Sequence, residues 1–257
     1  MNSLLASAPL AFFATSPQPC PYLPDRFERR LVTDLSRRDA VSVHDALSQA
    51  GFRRSHTLAY TPICSGCAAC VPVRVDVHGF RPDRAHRRVL ARNGDLLLQE
   101  LPATATREQY ALFTSYQRLR HYQGDMAKMG YHDYQLLIEQ TPVHTSILEV
   151  RDPAQNLRAV CIVDHICDGL SAVYSFFDPG LRRRSLGTFI ILSLIERSLR
   201  ANLSYLYLGF WIAQTTKMSY KSRFRPLQGF INAGWQRIEV TESGQASATE
   251  PDIDRIS

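Results

Sequence analysis

No apolar stretch of this 257-residue chain approaches the roughly 20 residues that a membrane-spanning helix requires, so a soluble protein is expected. The six cysteines are irregularly spaced, which does not suit a secreted scaffold stapled by disulfides. The first sixteen residues are apolar and rich in small side chains. No Lys or Arg precedes that apolar segment, however, and Pro9 interrupts it, so an export signal is a poor reading. Residues 1–18 are read instead as an arm or short strand, and a cytoplasmic location is expected. Acidic side chains are in the minority. With 30 Lys and Arg against 24 Asp and Glu, the net charge is +6 and the pI is near 9.1, which favours an anionic partner, nucleic acid first.

What is present centres on Y-T-P-I-C-S-G-C-A-A-C-V-P-V-R, from Tyr60 to Arg74. Cys64, Cys67 and Cys70 stand at two consecutive Cys-x2-Cys spacings, and Cys20 lies upstream in P-C-P-Y-L-P. Zinc sites and iron–sulfur clusters both use such thiolate sets, and a turn of thiols without metal is the plain alternative. Gly66, Ala68 and Ala69 leave room for the thiols to turn inward. A strand ending at Tyr60 should enter this loop, and one over Val71–Val77 should leave it. Asp39–Ala50 is expected to form a short helix closed by Gly51.

Past Gly79, Arg81, Arg84, Arg87, Arg88 and Arg92 place five guanidinium groups in twelve residues without a lysine. Arginine suits bidentate phosphate contacts, while a solvated surface segment is the bland reading. Asp95–Leu101 reads as a strand, and T-R-E-Q at Thr106–Gln109 as a capping box opening a helix. Tyr110, Phe113, Tyr116 and Leu119 recur along it at core spacing. His121, Asp125 and His132 near its end read as a polar turn.

The second half reads as an α/β unit with strands at Thr145–Val150, Leu157–Ile166, Leu170–Phe177 and Tyr205–Trp211. Between the last two lie Arg182, Arg183 and Arg184, then Ser185 as a candidate cap and a helix apolar on nearly every face. Strand, basic loop, buried helix and strand is the order in which acetyltransferase-type folds bind a phosphate at a helix N-terminus. Phe189, however, fills the final small position of the acyl-carrier loop, so coenzyme A is not expected as the ligand. Finally K-M-S-Y-K-S-R-F-R-P groups Lys217, Tyr220, Lys221 and Arg223 just past a strand end, as a binding patch or as ordinary exposed charge. The tail after Val240 is expected to be disordered.

Taken in order, P-C-P-Y-L-P, Y-T-P-I-C-S-G-C-A-A-C-V-P-V-R, F-R-P-D-R-A-H-R-R, S-A-V-Y-S-F-F-D-P, R-S-L-G-T, Y-L-Y-L-G-F-W-I and K-M-S-Y-K-S-R-F-R-P resemble the arginyltransferase superfamily. Within it they are most similar to the bacterial aspartate/glutamate leucyltransferases. Asp83 and Ala85 stand where serines are usual, and Gln228 where a Glu is usual.

The resemblance implies an acetyltransferase-like (GNAT-like) α/β domain over 96–240, packed with a cysteine-cluster domain over 19–95 and followed by the tail 241–257. It also implies transfer of leucine from leucyl-tRNA to proteins with N-terminal Asp or Glu, which marks them for degradation. Cys20, Cys64, Cys67 and Cys70 are the expected zinc or iron–sulfur ligands. Arg84, Arg87, Arg88, Arg182, Arg183 and Arg184 are expected to meet tRNA, and Lys217, Tyr220, Lys221 and Arg223 the acceptor or the aminoacyl end. No catalytic nucleophile is expected, because a free α-amine is itself reactive near neutral pH. An acetyl-CoA-dependent N-acetyltransferase and a non-catalytic, metal-containing nucleic-acid binder are the competing readings.

Overall fold

The computed structural model describes residues 9–120, 124–216, 218–240 and 246–248. The N-terminal arm does pair, as strand β1 (Phe13–Ala14). A two-stranded hairpin, β2 (Gln18–Pro19) and β3 (Phe27–Glu28), carries Cys20 just past its first strand. β4 (Arg30–Asp34), helix α1 (Ala40–Gln49), β5 (Arg53–Ser55) and β6 (Leu58–Pro62) complete a small antiparallel sheet of order β1-β4-β6-β5. α1 stops where expected. Gly51 takes φ +83, a left-handed conformation that glycine adopts without strain, and turns the chain into β5.

β7 (Val71–Asp76) leaves the cysteine loop as expected, but it does not stay with the small sheet. It lies between β12 (Tyr205–Trp211) and β13 (Leu227–Ile231) in a nine-stranded sheet, and Val73, Val75, Val77 and Phe80 enter the main core. Both neighbours of β7 thus come from the far end of the chain. The arginine run, for which no helix was expected, folds as α2 (Arg84–Arg92). Asp83 caps it by accepting from the His86 backbone N–H at 2.7 Å, which is why an Asp serves where a Ser is usual. Gln228 likewise accepts from Arg74 Nε at 2.8 Å, a bond that a Glu would also make.

The other half of the large sheet is β8 (Leu97–Pro102), β9 (Thr145–Arg151), β10 (Leu157–Ile166) and β11 (Gly169–Phe177), each antiparallel to the next. α3 (Arg107–Arg120) opens on the expected capping box, with Thr106 and Gln109 each accepting the other's N–H at 3.1 Å. With α4 (Tyr131–Glu139) it packs Phe113, Tyr134 and Ile138 on one face of the sheet. Of its four expected core residues only Phe113 is fully buried: Tyr110 and Tyr116 are half-buried against the same cluster, and Leu119 is 63% exposed. His121 lies outside the described residues.

β11 runs parallel to β12, which requires a crossover. α5 (Leu186–Arg200) supplies it, burying Leu186, Phe189, Ile190, Leu194 and Ile195 on the opposite face. This is the strand, basic loop, helix and strand order of an acetyltransferase-like α/β fold. β14 (Gly234–Val240) pairs with β13 and with β15 (Ala246–Ala248), so part of the tail expected to be disordered is strand. The two sheets are locked together by Arg54, whose guanidinium meets the buried Asp164 carboxylate at 2.6 and 2.7 Å.

Candidate active site and tRNA-binding face

The exposed arginines gather because two basic segments, separated by about ninety residues of sequence, are bonded side by side. Arg92 donates to the Arg183 carbonyl and Asn93 to the Arg184 carbonyl, the latter at 2.8 Å. This joins the end of α2 to the 3-10 turn Pro179–Arg184 that precedes α5. Arg84, Arg87, Arg88, Arg182 and Arg183 are exposed along the joined face. Arg184 is committed to Asp95 at 2.7 Å and holds that carboxyl below its usual range. It braces the face more than it offers charge.

That face leads to a cavity of about 430 Å³ at the start of α5, walled by Tyr116, Arg120, Phe177, Arg182, Gly187 and Tyr220 among others. Ser185 holds the N-cap position at φ +54, and its hydroxyl makes no capping bond, contrary to expectation. Phe189 does not obstruct the loop. Its ring is buried in the main core, so the ground for excluding an acyl-carrier pyrophosphate is removed; the ring against the loop is that of Phe177, 3.1 Å from where a Cβ on Gly187 would lie.

The patch expected around residues 217–223 does not face one way. Lys217 lies outside the described residues. Tyr220 lines the cavity, and burial around its hydroxyl raises the phenol above its ordinary value. Lys221 points inward: it is 5% exposed, donates to the Phe210 carbonyl at 2.5 Å, and is held well below the ordinary amine range by burial and then by Arg53. Arg223 faces outward at the start of α2, where its charge reaches His86. One short 3-10 turn, Ser219–Arg223, cannot aim three consecutive-turn side chains at one ligand, and this one does not.

Cys20, Cys64, Cys67 and Cys70 do share one small cavity, with Arg30, Tyr60 and Phe210 on its wall. Burial, then the neighbouring thiols, pushes the Cys70 thiol up to about 12. Four thiols suit zinc or an iron–sulfur cluster by donor chemistry. Among the described residues, though, no three of them stand in metal-binding geometry, so the set is gathered without converging. Cys161 is buried in the core as a thiol in an apolar strand should be, whereas Cys167 is exposed.

Sequence reasoning missed Arg53, Tyr116 and Arg120. Tyr116 and Arg120 stand i and i+4 on α3, a spacing that marks one helix face but not which face meets a ligand. For Arg53 no local signal exists.

Basic segments converging on a cavity at a helix N-terminus fit a phosphate-rich ligand. Residues 18–88 match the family model of "Arginine-tRNA-protein transferase, N terminus", and residues 108–231 that of its C terminus. The chain belongs to the arginine-tRNA-protein transferase family and is an aminoacyl-tRNA-dependent transferase.

It is 53% identical to the aspartate/glutamate leucyltransferase of Paramagnetospirillum magneticum, over 93% of this chain and 98% of the relative. The enzymes of that name from Gluconacetobacter diazotrophicus and Rhodospirillum rubrum are 50% and 49% identical, over 90% and 92% of this chain and 89% and 96% of their own. Among solved structures, L-PGS from Bacillus licheniformis aligns at 12% identity and a TM-score of 0.48, over 63% of this chain and 58% of that one. No helix among the described residues is long and apolar enough to cross a membrane.

Proposed function

We propose that this chain, in the cytoplasm, transfers leucine from leucyl-tRNA to the α-amine of proteins that begin with Asp or Glu, marking them for degradation by the N-degron pathway. Leucine and the acidic acceptor are supported by relatives near 50% identity that carry that activity in their name. The observation that carries the reading is the exposed arginine face of α2 and the Pro179–Arg184 turn running into the 430 Å³ cavity at the start of α5. Phosphates of the tRNA acceptor end lie along the face, and the aminoacyl ester enters the cavity.

The acceptor's neutral amine attacks the ester carbonyl carbon. The bond from that carbon to the ribose oxygen breaks, and the proton lost by the amine balances the ribose hydroxyl. With an ordinary pKa of about 7.7 to 8.0, the amine needs no strong protein base. The protein contributes position, and backbone N–H groups at the first turn of α5 face the end where negative charge develops. Tyr220 stands at the cavity as the polar contact of the ester end. Lys221 and Arg223 do not share that place, and Arg223 joins the tRNA face.

The four thiols would hold zinc or an iron–sulfur cluster only by drawing closer than they stand here; their donor chemistry and common cavity support the reading, and no step of the transfer passes through it. Metal and sulfide analysis of anaerobically purified protein reads this directly. The decisive assay mixes labelled leucyl-tRNA with peptides beginning Asp, Glu or Asn. Leucine on the Asp and Glu peptides is the expected result. Transfer from arginyl-tRNA in preference to leucyl-tRNA, or saturable coenzyme A binding with no tRNA dependence, overturns the reading.

A further inference from the structure

Beyond Ser171 and Tyr207 the parallel strands β11 and β12 make no further pairs with each other, and a gap opens in the middle of the large sheet. Two carbonyls at this gap are met by basic side chains. The Val173 carbonyl on β11 accepts from Arg53 Nη2 at 2.8 Å, and the Phe210 carbonyl on β12 accepts from Lys221 Nζ at 2.5 Å. Arg53 belongs to β5 of the small sheet, 120 residues from Val173 in sequence. It reaches the gap because position 209 is glycine: a Cβ there would lie 2.0 Å from Arg53 Nη1. Gly209 also takes φ +72, which an L side chain rarely adopts.

The electrostatics of the gap are one-sided. Among the described residues no carboxylate pairs with Arg53 or with Lys221, and the charge that Lys221 feels is that of Arg53. The next arginine in sequence shows the alternative, since Arg54 is fully met by Asp164 at 2.6 Å. Gathering two basic groups in a half-dry gap without an anion disfavours their charged forms. Burial, then Arg53, holds the Lys221 amine well below its ordinary range, whereas a guanidinium is not deprotonated in proteins, so Arg53 is the fixed charge of the gap. That charge is felt by Tyr220, at the cavity below α5, and by Tyr22, at the thiol cavity. Nη1 and Nε of Arg53 meet no acceptor among the described residues, so the guanidinium keeps donors for an anionic ligand beyond the one it gives to the Val173 carbonyl.

We propose that Arg53 reads the acidic side chain of the acceptor's first residue, delivered by the small sheet through the gap between β11 and β12 to the reacting end of the tRNA. The inference rests on the acidic-acceptor reading above and names the group that enforces it. Recognition by a fixed guanidinium separates Asp from Asn by charge, because the amide leaves the cation unmatched.

The test compares kcat/KM for peptides beginning Asp, Glu and Asn in wild type, Arg53→Gln and Arg53→Lys, with leucyl-tRNA affinity measured alongside. Gln keeps a donor for the Val173 carbonyl and removes the charge. It is expected to shrink the preference for Asp over Asn by about 100-fold while tRNA affinity stays within about threefold. Lys keeps the charge on a shorter arm, so acidic preference persists and the Glu-to-Asp ratio rises several-fold. If Arg53→Gln lowers Asp and Asn peptides equally, Arg53 is only a brace between the sheets and the inference is overturned. If Arg53→Gln does not fold, Arg53→Lys decides, and an unchanged Glu-to-Asp ratio overturns it. A wild type without preference for Asp over Asn removes the acidic-acceptor reading and this inference together. A wild type with that preference, unaltered in the variants, removes this inference alone.

Discussion

The arginines on α2 and the basic residues at the junction of the two sheets carry the same kind of charge into opposite surroundings. Arg84, Arg87 and Arg88 stand in water, where their mutual repulsion is screened over about 10 Å at 0.1 M salt and a flexible polyanion can take any of them. At the junction, Arg54 is 2% exposed at its side chain and Lys221 is 5% exposed as a residue. Buried charge must be matched atom by atom: Arg54 donates to Asp164, to the His56 carbonyl and to Thr145, while the Lys221 amine, lowered by burial, donates to the Phe210 carbonyl. The difference separates two tasks. An exposed face attracts a tRNA without choosing it, whereas a half-dry cation chooses among small ligands.

The strongest way to break the comparison is to remove the matched charge. Arg54→Ala leaves Asp164 buried without its partner and is expected to cost about 3 to 5 kcal/mol of stability in urea unfolding. Replacing both residues by apolar ones of similar volume should recover most of that loss. A loss near that of a surface substitution would show the pair to be hydrated.

The second test is pH. Burial and Arg53 lower the amine of Lys221, so over the window between its folded value and its ordinary value of about 10.4 the unfolded chain binds a proton that the folded chain does not. Wild-type stability should therefore rise with pH through that window, relative to Lys221→Met, by roughly 1.4 kcal/mol per pH unit. Parallel curves for the two proteins would place Lys221 in water.

On the exposed face, the Arg84→Ala, Arg87→Ala and Arg88→Ala triple variant should leave stability within about 0.5 kcal/mol per site and flatten the slope of log tRNA affinity against log salt by about 2. An unchanged slope returns these arginines to a solvated face. The smallest effect is expected at the start of the same helix. Asp83→Ser should be neutral within a few tenths of a kcal/mol, and Asp83→Ala should cost about 1 kcal/mol. A loss of tRNA affinity in Asp83→Ser with stability intact would give Asp83 a second role.

Much of the fold was legible because its signals are local. The capping box at Thr106–Gln109, the stop at Gly51 and the apolar runs of β9 to β12 each follow from a few neighbouring residues. The thiols could be paired with Cys20 by motif alone, and they do share a cavity. Side-chain direction was less legible. Phe189 and Lys221 were both read as facing a ligand, and both are buried, because a helix or 3-10 turn presents consecutive residues on different faces and only the packed sheet selects which face is dry.

By itself the sequence determined the family, the strands β7 to β12, the helices α1, α3 and α5, the arginine run and the cysteine set, all of which are written in short segments. The tertiary structure alone decided that β7 belongs to the large sheet, that Arg182 and α2 form one face, and that Arg53 passes Gly209 to reach Val173. Each of these joins segments about 90 residues or more apart. Local propensity carries no information at that distance, and which pairs meet is settled by the burial of apolar strands, to which the charged groups then accommodate.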